Sequence, residues 1–179
     1  MKRAFVIHGW QGHPEEGWRP WIRKELEKKG FSVSVPKMPD TNHPRMALWV
    51  GQLSKTVGVP DEDCYFIGHS LGCITILRYL ETIKKRVGGA VLVAGFADNL
   101  RIKELSTFFE KPVEWEKIRS VCDKFAVIHS DNDPYIPLRD GTIFRKNLDA
   151  KVVMEHGMGH FSDIHELPSA LQAVLDISG

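Results

Sequence analysis

The sequence predicts a doubly wound α/β fold, in which one mostly parallel six-stranded sheet is covered by helices on both faces. Two observations predict this fold. Six short apolar runs alternate along the chain with segments of helical periodicity. Most of the runs are largely apolar, as in strands that are buried on both faces. We find no repeat, low-complexity tract or linker in the 179 residues, so we expect a single domain over residues 1–179.

The six apolar runs are predicted to be strands because they are short, rich in β-branched residues and bounded by Gly, Pro or Asp. Right-handed crossovers between such strands bring their carboxyl ends to one edge, where ligands of these sheets bind. The predicted strands are residues 4–8, 31–35, 64–68, 90–94, 125–130 and 151–155.

The segments between these runs are predicted to be helices. In the first of them, Trp18, Ile22 and Leu26 lie at helical spacing, and Gly30 follows as a stop signal. The longer predicted helices are residues 18–29, 44–57, 71–86, 138–147 and 168–177. The stretch 95–123 contains one short helical piece, 114–121, and is too short for a cap domain. We therefore expect an open cleft.

Composition excludes several classes of partner. The chain has 24 basic and 23 acidic residues, so no positive excess is present to hold nucleic acid. No stretch reaches the roughly 18 apolar residues that span a bilayer, and the apolar run near the start is too short for a signal peptide. The three cysteines lack a CxxC spacing and fit reduced thiols. We expect a cytoplasmic protein that binds neither nucleic acid nor membrane.

A G-x-S-x-G motif, Gly68-His69-Ser70-Leu71-Gly72, stands between the third predicted strand and the helix that follows. In this context the motif places serine on a sharp turn, and its glycines remove side chains that would collide with neighbouring backbone. We therefore predict that Ser70 is a nucleophile. The N–H of Leu71, at the positive end of the helix, is predicted to donate to an oxyanion.

An activated serine needs an imidazole base and an acid that orients it. Asp133 follows the fifth predicted strand and is the expected acid, with Asp131 as the alternative. His160 follows two glycines after the sixth strand and is the expected base. His156 and His165 are alternatives by position. A metal site at these three histidines is disfavoured, because they lie in no predicted helix and lack a further ligand at fixed spacing.

The first predicted strand ends in His8-Gly9-Trp10. A loop here brings a second backbone N–H, that of Trp10, opposite the N–H of Leu71, and the His8 ring is assigned a structural role.

Aromatic side chains in nearby predicted loops are candidates for lining an acyl or aryl pocket. These aromatic candidates are Trp10, Phe96, Phe108, Phe109, Trp115, Tyr135 and Phe161.

Together these motifs resemble the retinoblastoma-binding protein nine type of serine hydrolase, a compact branch of the α/β-hydrolases. Beyond the serine motif, the resemblance includes Trp18 and Trp21 with Lys24-Glu25-Leu26, Met38-Pro39-Asp40, residues 115–118 and 133–137, and Gly159-His160-Phe161. It implies a six-stranded sheet without the first hairpin of larger hydrolases, and a triad of Ser70, Asp133 and His160. The loop after the first strand departs from the glycine-rich version of some members. A Leu-x-Cys-x-Glu segment is absent, so no retinoblastoma binding is carried over.

The sequence therefore predicts a serine hydrolase that cleaves small carboxylic esters through an acyl-enzyme intermediate, without metal or organic cofactor. A thioesterase, amidase or peptidase with the same triad is an alternative. So is a protein-binding module that keeps the fold without turnover, because a fold alone does not settle function. The expected partner is a small-molecule ester or acyl substrate, and the sequence identifies no protein partner.

Overall fold

A computed structural model describes all 179 residues and contains one six-stranded sheet. The strands are β1 (Arg3–Ile7), β2 (Ser32–Ser34), β3 (Cys64–His69), β4 (Gly89–Val93), β5 (Phe125–Ser130) and β6 (Lys151–Glu155). Their order in the sheet is β2-β1-β3-β4-β5-β6, and each neighbouring pair is parallel. The predicted six-stranded sheet is confirmed, and it is parallel throughout.

The helices cover both faces of this sheet. They are α1 (Arg19–Lys28), α2 (Met46–Val57), α3 (Leu71–Leu80), α4 (Trp115–Val121), α5 (Arg139–Leu148) and α6 (Pro168–Ser178). α1 contacts α6, while α2, α3, α4 and α5 contact one another in succession. In the sheet, β2 lies on one side of β1, and β3 to β6 follow in order on its other side. Because crossovers between parallel strands are right-handed, α1 and α3 lie on opposite faces of the sheet. None of the helices has the length and apolar character needed to cross a membrane.

The reversal of strand order lies at β1 and β3, and their carboxyl ends therefore form the switch point where open α/β sheets bind ligands. α3 begins at this point, and its ten residues are all buried between the sheet and its neighbouring helices. A helix enclosed on all sides needs apolar residues around its whole circumference, as α3 has. The core thus fixes where the first turn of α3 stands.

α3 ends earlier than the sequence predicts, at Leu80 and not at residue 86. Thr82 is the reason, because its N–H and its hydroxyl both donate to the carbonyl oxygen of Tyr79, at 2.9 and 2.7 Å. These two bonds close the last turn and end the regular i to i−4 hydrogen bonding of the helix. The segment between β4 and β5 also contains a 3₁₀ helix, Lys103–Phe108, which the sequence did not predict.

Candidate active site

Ser70 stands on the sharp turn between β3 and α3, with φ 54° and ψ −118°. This is a strained backbone conformation for a residue with a side chain. Two hydrogen bonds hold it: the Ser70 N–H donates to the carbonyl oxygen of Val93 at 2.9 Å, and the Ser70 carbonyl accepts from the Cys73 N–H at 2.9 Å. The turn directs the hydroxyl into the cleft at the carboxyl ends of the strands.

The two glycines of the motif are required by close backbone approach. A Cβ on Gly72 would lie 2.2 Å from the carbonyl oxygen of Ile7, and one on Gly68 would lie 2.8 Å from Cys73 Cα. β1 and the first turn of α3 therefore meet at a distance that no side chain permits. This confirms by geometry the steric reason for which the motif was singled out.

We expect Gly72→Ala to destabilise the fold by about 3 kcal/mol or more, because the added methyl group overlaps backbone that cannot move independently. Gly51→Ala is the matched control, since Gly51 lies in α2 with open space around its Cβ position. That variant should gain about 0.5–1 kcal/mol from the lower flexibility of alanine. Urea unfolding of both variants measures the difference, and equal free energies of unfolding would contradict the proposed close approach.

The structure brings Ser70, His160 and Asp133 into one chain of hydrogen bonds. His160 Nε2 lies 2.9 Å from Ser70 Oγ, and His160 Nδ1 lies 2.8 Å from Asp133 Oδ2. A carboxylate accepts, so Nδ1 carries the proton of the neutral ring and Nε2 has its lone pair free for the serine hydroxyl. The arrangement suits a ring that removes a proton from Ser70.

The carboxylate of Asp133 is fully covered and held by the backbone. Its side chain has 0% exposure, and Oδ1 accepts N–H bonds from Tyr135 at 2.8 Å and Ile136 at 3.0 Å. Burial alone raises the pKa of this carboxyl group, but the hydrogen bonds from His160 and from the two N–H groups outweigh it and lower the pKa below its usual value. Asp133 is therefore ionised at neutral pH and lies where it can orient the ring.

Asp131 does not reach His160. Its Oδ2 lies 2.6 Å from Nδ1 of the exposed His156, and its Oδ1 accepts the N–H of Gly157 at 3.0 Å. The neighbouring Asn132 Oδ1 accepts the N–H of Gly159 at 2.8 Å. The end of β5 thus holds the loop that carries His160. His165 lines the cleft, and the histidines 156, 160 and 165 form no group of three potential metal ligands.

His69 is a residue of the site that the sequence did not single out. Its Nε2 lies 2.7 Å from the carbonyl oxygen of His160, which only accepts, so this nitrogen carries the proton. Its other nitrogen faces Arg19 Nη1 at 3.5 Å. Burial lowers the pKa of His69 to about 3, so the ring is neutral at ordinary pH. His69 therefore fixes the main chain at His160.

Three buried histidines make the fold sensitive to acid. Burial lowers the pKa of His8, His69 and His129, while the unfolded chain titrates at about 6.5. Protons therefore bind the unfolded state preferentially as the pH falls below about 6.5, and stability present above that pH is lost. We expect each of these groups to remove up to about 1.4 kcal/mol of unfolding free energy per pH unit. Urea unfolding between about pH 7.5 and pH 5 tests this, and a flat profile would contradict it.

The loop after β1 lies directly against Ser70, since a Cβ on Gly9 would be 3.0 Å from Ser70 Cβ. The next residue, Trp10, has a backbone N–H that donates to no acceptor in the protein, while its indole Nε1 donates to the carbonyl oxygen of Asn42 at 3.1 Å. Leu71 is the first residue of α3, where helical N–H groups have no partner within the helix. Both predicted oxyanion donors thus line the cleft beside Ser70.

The cleft has two branches that share Trp10, Ser70 and His160. The apolar branch has a volume of about 340 Å³ and the polar branch one of about 720 Å³. Among the aromatic candidates, Trp10, Phe96 and Tyr135 line the apolar branch, and the other four line neither branch. The apolar branch is completed by Leu71, Leu100, Ile102, Leu105 and Ile136.

Comparison with known proteins identifies the family. The sequence profile described as "Serine hydrolase" matches residues 4–171. This chain belongs to the serine hydrolase family. YdeN of Bacillus subtilis (strain 168) is 34% identical to it over 164 residues, which are 89% of this chain and 86% of YdeN. The serine hydrolase RBBP9 of Rattus norvegicus is 32% identical over 180 residues, which are 97% of this chain and 95% of RBBP9. The resemblance stated from the sequence motifs is thereby confirmed.

Solved structures agree with this assignment. The crystal structure of the ydeN gene product from B. subtilis matches with a TM-score of 0.94 at 30% identity, over 99% of this chain and 98% of that one. Est1E from Butyrivibrio proteoclasticus matches with a TM-score of 0.80 at 16% identity, over 98% and 88% of the two chains, and shows the shared fold. As a member of the serine hydrolase family with an α/β-hydrolase fold, the chain is an enzyme.

Proposed function

We propose that this serine hydrolase is a carboxylesterase that cleaves small esters through an acyl-enzyme intermediate. One observation carries the proposal: Ser70 Oγ, the His160 ring and the covered Asp133 carboxylate are joined by hydrogen bonds of 2.9 and 2.8 Å where two branches of a cleft meet. A nucleophile, a base and an orienting acid in this order are the parts that acyl transfer needs.

In the proposed reaction, His160 Nε2 takes the proton of Ser70 as Oγ attacks the ester carbonyl carbon. The negative oxygen of the tetrahedral intermediate is held by the N–H groups of Trp10 and Leu71. His160 then gives its proton to the departing alcohol. Water attacks the acyl-enzyme and transfers a proton to the same ring, which returns it to Ser70 Oγ as the carboxylic acid is released. Asp133 remains ionised and stabilises the imidazolium in each half of the reaction.

The apolar branch supports an apolar acyl chain. Its walls are aliphatic and aromatic side chains, among them Phe96, Leu105 and Ile136, and its volume of about 340 Å³ limits the chain to short or medium length. Tyr135 stands at its mouth with its ring edge-on to His160, at 5.2 Å between ring centroids. Est1E, which shares the fold, is described with ferulic acid bound, so an aryl acyl group belongs in the test.

The test is hydrolysis of a matched acyl series by the native protein. We would measure kcat/KM for para-nitrophenyl esters of acetate, butyrate, octanoate and a cinnamate, then for the butyryl thioester and the butyryl anilide. The proposal expects highest values for a short or medium ester and little turnover of the anilide. A higher kcat/KM for the thioester would assign a thioesterase. Absence of ester turnover by folded protein would leave the binding-module alternative.

A further inference from the structure

The polar branch of the cleft contains a buried cation that the proposed reaction does not use. Arg19 is 5% exposed and lines this branch beside Ser70. Its Nε donates to the carbonyl oxygen of His13 at 2.9 Å, and its Nη1 faces His69 Nδ1 at 3.5 Å. Its Nη2 makes no hydrogen bond and has only a 3.6 Å ion pair with Glu16. Burying a charge without a full set of partners lowers the stability of the fold, which suggests that the charge has a functional role.

A second feature of the same branch also favours negative charge. Arg19 is the first residue of α1, and Gly17, Pro20 and Trp21 line the branch beside it. This ten-residue helix has no side-chain cap at its N-terminus and no acidic residue in its first turn. The helix dipole and the free N–H groups of a first turn attract anions. Two independent features thus converge on one part of the cleft.

Two carboxylates, Glu15 and Glu16, also line the polar branch, and their negative charges oppose the binding of an anion. Glu15 is paired with Arg23 through two contacts of 3.1 Å, so its charge is matched. Glu16 accepts the N–H of His13 at 3.0 Å, and its side chain is 59% exposed. Its Oε2 forms an ion pair with Arg19 Nη2 at 3.6 Å, a distance too long for a hydrogen bond. In the buried part of the branch, Arg19 is therefore the group whose charge a ligand meets.

We propose that the polar branch binds an anionic group, a carboxylate or a phosphate, on the alcohol portion of the ester, with Arg19 Nη2 as its contact. The inference rests on the proposed function. An acyl chain in the apolar branch leaves the polar branch for the alcohol, because both branches meet at Ser70. A planar guanidinium whose Nη2 makes no hydrogen bond, and has only a 3.6 Å ion pair with the exposed Glu16, is suited to either anion, as is a positive helix end.

The experiment compares two chromogenic butyrates, one of para-nitrophenol and one of meta-carboxy-para-nitrophenol. The ratio of their kcat/KM values, anionic over neutral, is measured in the native enzyme, Arg19→Gln, Arg19→Lys and Glu16→Gln. Comparing ratios cancels the difference in intrinsic reactivity of the two esters. It also cancels any disturbance transmitted through His69 to His160, since that affects both esters alike.

We expect Arg19→Gln to lower the ratio about tenfold or more, as loss of a charge-assisted hydrogen bond does. Arg19→Lys should retain part of the preference, because it keeps the charge without the fork. Glu16→Gln should raise the ratio, since it removes the negative charge next to Arg19. An unchanged ratio in Arg19→Gln would overturn the inference and leave the esterase proposal intact.

Calorimetric binding of benzoate and phenyl phosphate to the native protein and Glu16→Gln separates the two anions. This binding measurement still tests the inference if Arg19→Gln fails to fold or if the native protein turns over no ester. Binding of either anion that tightens in Glu16→Gln supports the inference, and the tighter of the two identifies carboxylate or phosphate. No binding of either anion would overturn it. Failure of the esterase proposal is recognised separately, as absence of turnover of the neutral ester.

Discussion

Replacing Ser70 with alanine is expected to lower kcat for para-nitrophenyl butyrate by about 10⁴- to 10⁶-fold, the loss seen when a triad nucleophile is removed. The reason is chemical: without Oγ no acyl-enzyme forms, and only the binding surface and the oxyanion donors remain. The same variant should lose covalent labelling by a fluorophosphonate probe. Labelling detects the activated hydroxyl directly and does not require the natural substrate to be known.

Ser162 supplies the control, because it also lines both branches of the cleft but makes no hydrogen bond to His160. The Ser162→Ala variant should still be labelled by the probe, because Ser70 is intact. Thermal unfolding must show that Ser70→Ala is folded, since position 70 has a positive φ that alanine also has to adopt. Labelling that persists in folded Ser70→Ala would contradict the proposed nucleophile. Native protein that is folded and unlabelled would favour a binding module.

The parts of the site that the sequence predicted are those set by local chemistry. Gly68, Ser70 and Gly72 lie within five residues, and the turn they form depends on a strand before and a helix after, both visible as apolar runs. The strand bounds agree for the same reason, and two of the six, Phe125–Ser130 and Lys151–Glu155, match the prediction at both ends. Local patterns of this kind need no knowledge of distant partners.

The parts that were missed depend on contacts between distant residues. His69 Nε2 meets a carbonyl 91 positions away, and Arg19 meets His69 across 50 positions. Neither pairing leaves a periodicity or spacing in the sequence. The early end of α3 was missed because a single threonine, Thr82, binds the carbonyl of Tyr79 that a longer helix would use for its regular ladder. These features required the three-dimensional arrangement.

The choice between Asp131 and Asp133 shows the same limit at the scale of one turn. Both carboxylates follow β5, and the sequence alone left Asp131 open as an alternative. The structure separates them by contact, since Asp133 Oδ2 lies 2.8 Å from His160 Nδ1 while Asp131 faces His156. Side-chain direction within a loop is set by local hydrogen bonds, here the N–H groups of Tyr135 and Ile136 on Asp133 Oδ1.

This separation leads to a matched pair of variants. Asp133→Asn should lower kcat by about 10⁴-fold, the effect of an acid-to-amide change that turns the imidazole to the wrong tautomer. The amide group can donate to Nδ1, which then holds the lone pair, and Nε2 carries the proton and no longer accepts from Ser70. Asp131→Asn has the same chemical change two residues away. It should cost far less, because Asp131 supports the loop and does not touch His160.

Steady-state kinetics and fluorophosphonate labelling rates of both variants provide the measurement. If the tautomer is the cause, Asp133→Asn should bind substrate with little change in KM while kcat collapses, and activity should recover partly at high pH as hydroxide replaces the base. A general loosening of the loop would instead change KM and kcat together in both variants. A larger loss in Asp131→Asn than in Asp133→Asn would reverse the assignment of the acid, whatever the distances.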